Sequence, residues 1–331
     1  MKFYILAFLL LFTVFSFSLS PDSQIVFRST DGGQTWQDIG KGLPENLRGD
    51  SIRGKDLFAN DKGLFLRVGK DLYHSTPNAT APFWTKEICP GEHSRITPGK
   101  PGIFTFNWGV KLKKADGTSV WSPIFENYRE PRIRSVFETA GGAIFIGNDR
   151  GLFKTANDGK TWEHVHSAYA VGNLAEANGV LLAISMRSII RSTDNGENWA
   201  LVNSEDSLAF DVKQIKGGFA AITSRSESNT RRLSTSYDGG KTWQPLEGGL
   251  QGKAVNDAIW RTWNDRPRVQ AFMAVIIQVG ENFYCTYPDG IFRSSDKGKT
   301  WKLLLPSVQK KAFNLFVSGN VIYAIRSKGG C

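Results

Sequence analysis

An eight-residue pattern, Ser/Thr-x-Asp-x-Gly-x-Thr-Trp, occurs five times along this chain of 331 residues. One copy carries Asn157 at the position where the other four carry Asp, and another carries Asn198 at the position of the second Thr. A pattern that recurs in this way predicts a repeat architecture. The characteristic positions of the five copies are Ser29, Asp31, Gly33, Trp36, Asn157, Gly159, Trp162, Asp194, Gly196, Trp199, Asp238, Gly240, Trp243, Asp296, Gly298 and Trp301.

The spacing of the copies predicts the number of repeats. The long interval between Asp31 and Asn157 fits three repeats of about 42 residues, which is the length of one propeller blade. Two degenerate copies are therefore expected in that interval, and the candidates are 73–84 and 113–121, each of which ends in Trp. Seven repeats follow if both candidates count, and six remain possible.

Each repeat reads as four short antiparallel strands, which we call A to D, with the eight-residue pattern on the turn between C and D. The segment 24–28 leads directly into the first pattern, and the segments 313–317 and 320–325 are followed by none. The two ends together supply one complete repeat. The sequence therefore predicts an all-β, seven-bladed β-propeller whose ring closes by pairing of N- and C-terminal strands, which removes exposed sheet edges.

The first twenty residues differ from the rest. Lys2 precedes an apolar run, and 18–20 supplies small residues, which is typical of a cleaved secretory signal peptide. We expect one propeller domain over 21–331, a secreted or periplasmic location and no membrane span after cleavage. The three cysteines, Cys89, Cys285 and Cys331, allow at most one disulfide, and the sequence leaves its pairing open.

The chemistry of the repeated pattern is that of a turn. Hydroxyl and carboxylate oxygens accept hydrogen bonds from backbone N–H groups, Gly adopts positive φ, and Trp buries a large ring. Asn157 keeps the acceptor without the charge, which suits a structural role. The pattern resembles the Asp-box (BNR repeat) of sialidases and other β-propellers, including propellers of the photosystem II assembly-factor type.

The sialidase resemblance implies a glycoside hydrolase with three arginines on a substrate carboxylate, a Tyr–Glu pair and an Asp acid/base. The Phe/Tyr-Arg-Ile-Pro motif of sialidases has its nearest counterpart in 131–134, which lacks the final Pro. Tyr128 with Glu126 or Glu130, and Tyr287 with Asp289, are the pairs open to that role. No catalytic residue is assigned. A non-catalytic binding propeller is the first expectation, and exo-α-sialidase-like hydrolysis is the alternative.

Basic residues dominate the predicted B–C loops and D–A connections. These two sets share one face in an antiparallel blade, and the formal net charge of +10 agrees with an anionic partner. We expect an acidic glycan or an acidic protein surface to bind there, with no cofactor, metal or nucleic acid, and we expect a monomer. Forked guanidinium groups suit carboxylate or sulfate. The candidate binding residues are Arg67, Arg129, Arg132, Arg150, Arg187, Arg225, Arg231 and Arg261, the last in a basic and aromatic insertion within 260–283.

Overall fold

The computed structural model describes thirty β-strands over most of the chain after residue 24. The described residues are 25–45, 47, 52, 56–91, 94–114, 120–130, 132–168, 170–186, 188–202, 207–225, 231–246, 250, 260–263, 266–269, 275–287, 289–307 and 312–327. The expected signal peptide and Cys331 lie outside them. Within these ranges, no helix has the length and apolar character needed to cross a membrane.

Seven four-stranded antiparallel sheets form the blades of a propeller, as predicted. Blade 1 consists of β3 (Leu57–Asn60), β4 (Gly63–Val68), β5 (Asp71–Ser75) and β6 (Thr85–Ile88). Blade 2 consists of β7 (Arg95–Gly99), β8 (Gly102–Phe106), β9 (Val110–Lys114) and β10 (Trp121–Ile124). Blade 3 consists of β11 (Ser135–Glu138), β12 (Ile144–Gly147), β13 (Gly151–Thr155) and β14 (Glu163–Ser167).

The other blades continue in chain order. Blade 4 consists of β15 (Val171–Ala177), β16 (Val180–Ser185), β17 (Ser188–Ser192) and β18 (Ala200–Leu201). Blade 5 consists of β19 (Ser207–Ile215), β20 (Gly218–Arg225), β21 (Arg231–Ser236) and β22 (Gln244–Pro245). Blade 6 consists of β25 (Ile276–Val279), β26 (Asn282–Tyr287), β27 (Gly290–Ser294) and β28 (Lys302–Pro306). Blade 7 consists of β29 (Ala312–Ser318), β30 (Val321–Ser327), β1 (Val26–Ser29) and β2 (Gln37–Asp38).

Blade 7 closes the ring with strands from both ends of the described chain. Strand β1 pairs antiparallel with β30, so that Val26 lies opposite Ile325 and Phe27 lies opposite Ala324. The innermost strands β3, β7, β11, β15, β19, β25 and β29 each contact the innermost strands on both sides. The predicted closure between the N- and C-terminal strands is confirmed.

The predicted insertion at 260–283 proves to contain two different structures. Strands β23 (Trp260–Trp263) and β24 (Arg266–Val269) form a separate two-stranded hairpin. The rest of the range includes β25 and the start of β26, which are the regular inner strands of blade 6. Residues 275–277 are buried in the blade core, so only part of the range 260–283 is inserted between regular blade strands.

Each intact repeat closes its own turn with side chains. In the first, the Ser29 hydroxyl donates to Asp31 at 2.8 Å and accepts from the backbone N–H of Gly33 at 2.8 Å. Asp31 also accepts from the backbone N–H and the hydroxyl of Thr35, at 2.9 and 2.6 Å. The copies around Asp194, Asp238 and Asp296 share the Ser–Asp and Ser–Gly bonds. The turn chemistry expected from the sequence is present.

The copy with Asn157 keeps the same arrangement without a charge. Its amide oxygen accepts from the Thr161 backbone N–H at 3.0 Å and from the Thr155 hydroxyl at 3.0 Å. Its amide nitrogen donates to the Thr161 hydroxyl at 2.8 Å, whereas in the Asp copies with Thr that hydroxyl donates to the carboxylate. The direction of one bond is reversed and the turn is unchanged.

The Gly and Trp of each pattern pack on the preceding blade. A Cβ atom at Gly196, where φ is +81°, would lie 2.4 Å from Phe145 of blade 3. Trp199 of the same repeat lies edge-on to Phe145, with ring centroids 6.1 Å apart. Gly240 lies against Leu182 in the same way. The repeated pattern therefore shapes its turn and joins one blade to the next.

Candidate functional site

The blade topology places two sets of loops at the same face of the ring. In an antiparallel blade, B–C loops and D–A connections lie at one end of the strands, and A–B and C–D turns lie at the other. We call the first the upper face and the second the lower face. The repeated patterns are C–D turns and lie at the lower face. The candidate arginines were assigned to the upper face, and the structure distinguishes among them.

Arg67 lies in strand β4, not in a loop as predicted from the sequence. Its side chain is only 8% exposed and pairs with Asp56 at 2.8 Å, while Nη1 donates to the backbone oxygen of Gly69 at 2.7 Å. A buried guanidinium is retained when a carboxylate and backbone acceptors satisfy it. These contacts enclose Arg67 between β4 and the start of β3, away from the open surface.

Four other candidate arginines lie partly or wholly outside the described residues. Arg187 lies wholly outside the described residues. Arg225 ends β20 and Arg231 begins β21, so both lie in strands and not in the predicted loop, because the two strands extend further than their sequence pattern indicated. Arg261 lies in β23 of the separate hairpin. The structure describes the backbone of these three residues but not their side chains.

Three cations around blades 2 and 3 have partners in the fold. Arg150 donates to a carboxylate oxygen of Glu130 at 3.0 Å, and Arg134 pairs with Asp149. Arg95, at the start of β7, donates to the backbone oxygen of Arg134 at 2.7 Å. The bond from Arg95 connects the inner strands of blades 2 and 3, and the other two bonds join the connection between these blades to the B–C loop of blade 3. Arg150 nevertheless keeps a side chain that is 66% exposed.

Two candidate arginines, Arg129 and Arg132, remain exposed on the connection from blade 2 to blade 3. Among the described residues, neither has a carboxylate within ion-pair distance. Trp108, on the B–C loop of blade 2, is 74% exposed. Its neighbour Asn107 accepts a 2.8 Å hydrogen bond from the backbone N–H of Ile133, the residue after Arg132. We call Trp108, Arg129, Arg132 and Arg150 the blade 2–3 surface.

Packing holds this connection in place. The ring of Phe125 occupies the space beside Gly159 and lies edge-on to Trp162 at 5.2 Å, with the Phe125 backbone at φ +58°. Positive φ is rare for a bulky residue and persists only where the surroundings impose it. Tyr128 packs on Phe153 and Trp162 at 5.6 and 5.0 Å. The exposed arginines therefore project from a backbone whose course is fixed by aromatic packing.

The sequence interpretation missed Trp108. It follows a β-strand and precedes Gly109, and it lacks the Gly-x-Thr that precedes four of the five box tryptophans. A second signal was its position, because Trp108 lies on a B–C loop whereas the described tryptophans of the boxes and degenerate turns follow C–D turns. A repeat alignment that separates the two kinds of loop would have identified it as a residue without a packing role.

The Tyr residues named for a hydrolase make contacts within the fold. The Tyr128 hydroxyl accepts from the Asn148 amide at 2.9 Å, and burial raises the pKa of Tyr128 well above its usual range. Tyr287 packs edge-on against Phe292. In the described part of the chain, no three His, Cys, Asp or Glu side chains are grouped so that they could hold a metal ion.

Comparison with known proteins agrees with this architecture. The family model for the BNR/Asp-box repeat matches residues 27–38, the first of the five copies. A sequence search of curated proteins finds no match. The chain is thus a seven-bladed β-propeller with Asp-box repeats.

Solved structures show the same fold at low sequence identity. The structure described as YCF48 bound to D1 peptide has a TM-score of 0.50 and 12% identity, and the match covers 84% of this chain and 95% of that one. The extracellular domain of BT4673 from B. thetaiotaomicron has a TM-score of 0.51 and 12% identity, over 85% and 43%. A prolyl endopeptidase has a TM-score of 0.54 and 9% identity, over 89% and 48%. These likenesses concern the propeller fold alone.

Proposed function

We propose that this protein is an exported, non-catalytic Asp-box propeller that binds an anionic partner, an acidic glycan or an acidic protein, through the blade 2–3 surface. The observation that carries the proposal is the pair Arg129 and Arg132. Both are exposed on one short connection, and the described residues supply no carboxylate to either. The export is inferred from the apolar segment at the N-terminus of the sequence.

The physical basis is charge recognition by preorganised cations. A guanidinium donates parallel hydrogen bonds to a carboxylate, sulfate or phosphate group, and such charge-assisted bonds are stronger than neutral ones. Arg150 lies close by, since its partner Glu130 belongs to the same connection as Arg129. The net charge of +10 adds a long-range attraction for anions that weakens as salt rises.

The test is a double charge reversal, Arg129→Glu with Arg132→Glu. Binding of heparin and of polyglutamate to the purified protein is measured by titration calorimetry at low and moderate salt. We expect the affinity for at least one probe to fall about tenfold or more, because two attractive contacts become repulsive. The matched control is Lys241→Glu with Lys299→Glu, which makes the same change in net charge on exposed lower-face turns.

Equal losses in the two double variants would contradict a localised surface and leave only a general effect of net charge. Failure of the unmodified protein to bind either probe would contradict the anionic partner itself. Hydrolysis of a fluorogenic sialoside by the purified protein would overturn the non-catalytic role and favour the sialidase-like alternative. Retained folding of each variant is checked by its thermal unfolding midpoint.

A further inference from the structure

The packing of the blades gives no structural reason for the exposure of Trp108. It is 74% exposed, whereas the repeat tryptophans that follow C–D turns, such as Trp84 and Trp199, lie against the preceding blade. A large apolar ring in water costs free energy in proportion to its exposed area. The hydrogen bond between the backbones of Asn107 and Ile133 brings the chain at Trp108 next to the chain at Arg132. The exposed ring and the exposed cations therefore belong to adjoining loops of the upper face.

This combination narrows the kind of partner. Tryptophan and arginine are the side chains most enriched among residues that dominate protein–protein binding energy. A ring as exposed as that of Trp108 does not line a closed pocket, in which 70–90% or so of a small ligand would be buried. It is placed instead to be covered by apolar groups of a partner, while the arginines meet acidic groups around them.

We propose that the blade 2–3 surface binds an acidic polypeptide segment that carries apolar side chains, with Trp108 as the apolar anchor. This inference rests on the proposed function, since it names the class of anionic partner for the same surface. The partner's carboxylates pair with Arg129 and Arg132, and an aromatic or aliphatic side chain covers the indole of Trp108. An acidic glycan would use the same charges, but binding would not depend on an apolar group near position 108.

Two polymers of defined chemistry separate these cases. Polyglutamate offers carboxylates alone, and a random glutamate–tyrosine copolymer offers carboxylates with aromatic rings. We expect the copolymer to bind more tightly than polyglutamate, and Trp108→Ala to remove about tenfold of the copolymer affinity while polyglutamate and heparin affinities stay unchanged. The control is Tyr237→Ala, which truncates another exposed aromatic side chain, 53% exposed, on a lower-face turn of blade 5.

The outcomes test the Trp108 anchor separately from the proposed function. A loss confined to Trp108→Ala and to the copolymer supports the anchor. Equal copolymer affinities of Trp108→Ala and the unmodified protein overturn it. A preference for heparin over the copolymer that Trp108→Ala retains overturns it as well. In both of those cases anion binding itself stands, and the proposed function survives. If none of the three polymers binds, the proposed function fails together with the inference. Thermal unfolding of both variants confirms that the fold is intact.

Discussion

The turns at the lower face fall into two groups that reach the same position by different means. An intact box, such as that of Asp238, is closed by its own Ser, Asp and Thr side chains. The degenerate turn of blade 1 has Pro77 at the Asp position, and its buried Ser75 hydroxyl has no partner among the described residues. That turn is held from blade 7, where Arg28 donates to the backbone oxygens of Pro77 and Ala79 at 3.1 and 2.8 Å.

The tryptophans follow this division only in part, since Trp301 of an intact box donates to the backbone oxygen of Leu246 in the preceding blade at 3.2 Å. Trp36, Trp199 and Trp243 of intact boxes donate to the backbone oxygen of the Gly in their own turn. Trp84 and Trp121 of the degenerate turns instead donate to Ile39 and Ile88 of the preceding blade, at 2.6 and 3.0 Å. Contacts between blades thus hold both kinds of turn, and an intact box adds hydrogen bonds within its own turn. The box chemistry can be lost without loss of the blade.

Gly196→Ala is expected to have the largest effect, because it tests whether an intact box also locks two blades together. The new Cβ meets the buried Phe145 at 2.4 Å, on a backbone with φ +81°. We expect a loss of about 3 kcal/mol in the free energy of unfolding from overpacking plus backbone strain, measured by urea denaturation.

Gly179→Ala is the matched control for that substitution. Gly179 has nearly the same φ, +74°, but a Cβ atom added there would have no neighbour within 4 Å. Gly179→Ala should lower the free energy of unfolding by only about 1 kcal/mol, because it adds backbone strain without overpacking. Equal losses in the two variants would show that the box glycine serves the turn conformation and not the contact between blades.

Trp84→Phe is expected to have an intermediate effect and tests the degenerate turns. The indole N–H of Trp84 is buried and bonds Ile39 of blade 7. Its removal leaves a buried carbonyl without that donor, so we expect a loss of about 2 kcal/mol in the free energy of unfolding. Trp36→Phe is the control, since its bond stays within a partly exposed turn, and about 1 kcal/mol should be lost there. The comparison fails if Trp36→Phe costs as much.

The fold could be predicted from the sequence because its signal is repeated. The spacing of five boxes, with Trp84 and Trp121 as remnants of two more, indicated seven blades and the pairing of β1 with β30. The candidate site was less predictable, because whether a cation is exposed depends on contacts between distant segments. Arg67 is enclosed by Asp56, while Arg132 is left open, and no local pattern distinguishes the two.

Asp296→Asn is expected to have the smallest effect and tests the charge of an intact box. The hydroxyl of Thr300, its backbone N–H and the Ser294 hydroxyl donate to Asp296 and lower its pKa from 3.8 to about 2. A lowered folded-state pKa contributes stability that is complete above the unfolded-state value and is lost as pH falls from about 4 to 2. The variant lacks that contribution, so its free energy of unfolding should be lower than that of the unmodified protein at neutral pH and should converge with it in acid.

The reciprocal variant Asn157→Asp should gain the same pH dependence in blade 3. Acid unfolding followed by tryptophan fluorescence measures both, and parallel curves at all pH values would show that the box uses the carboxylate only as a neutral acceptor, as Asn157 does.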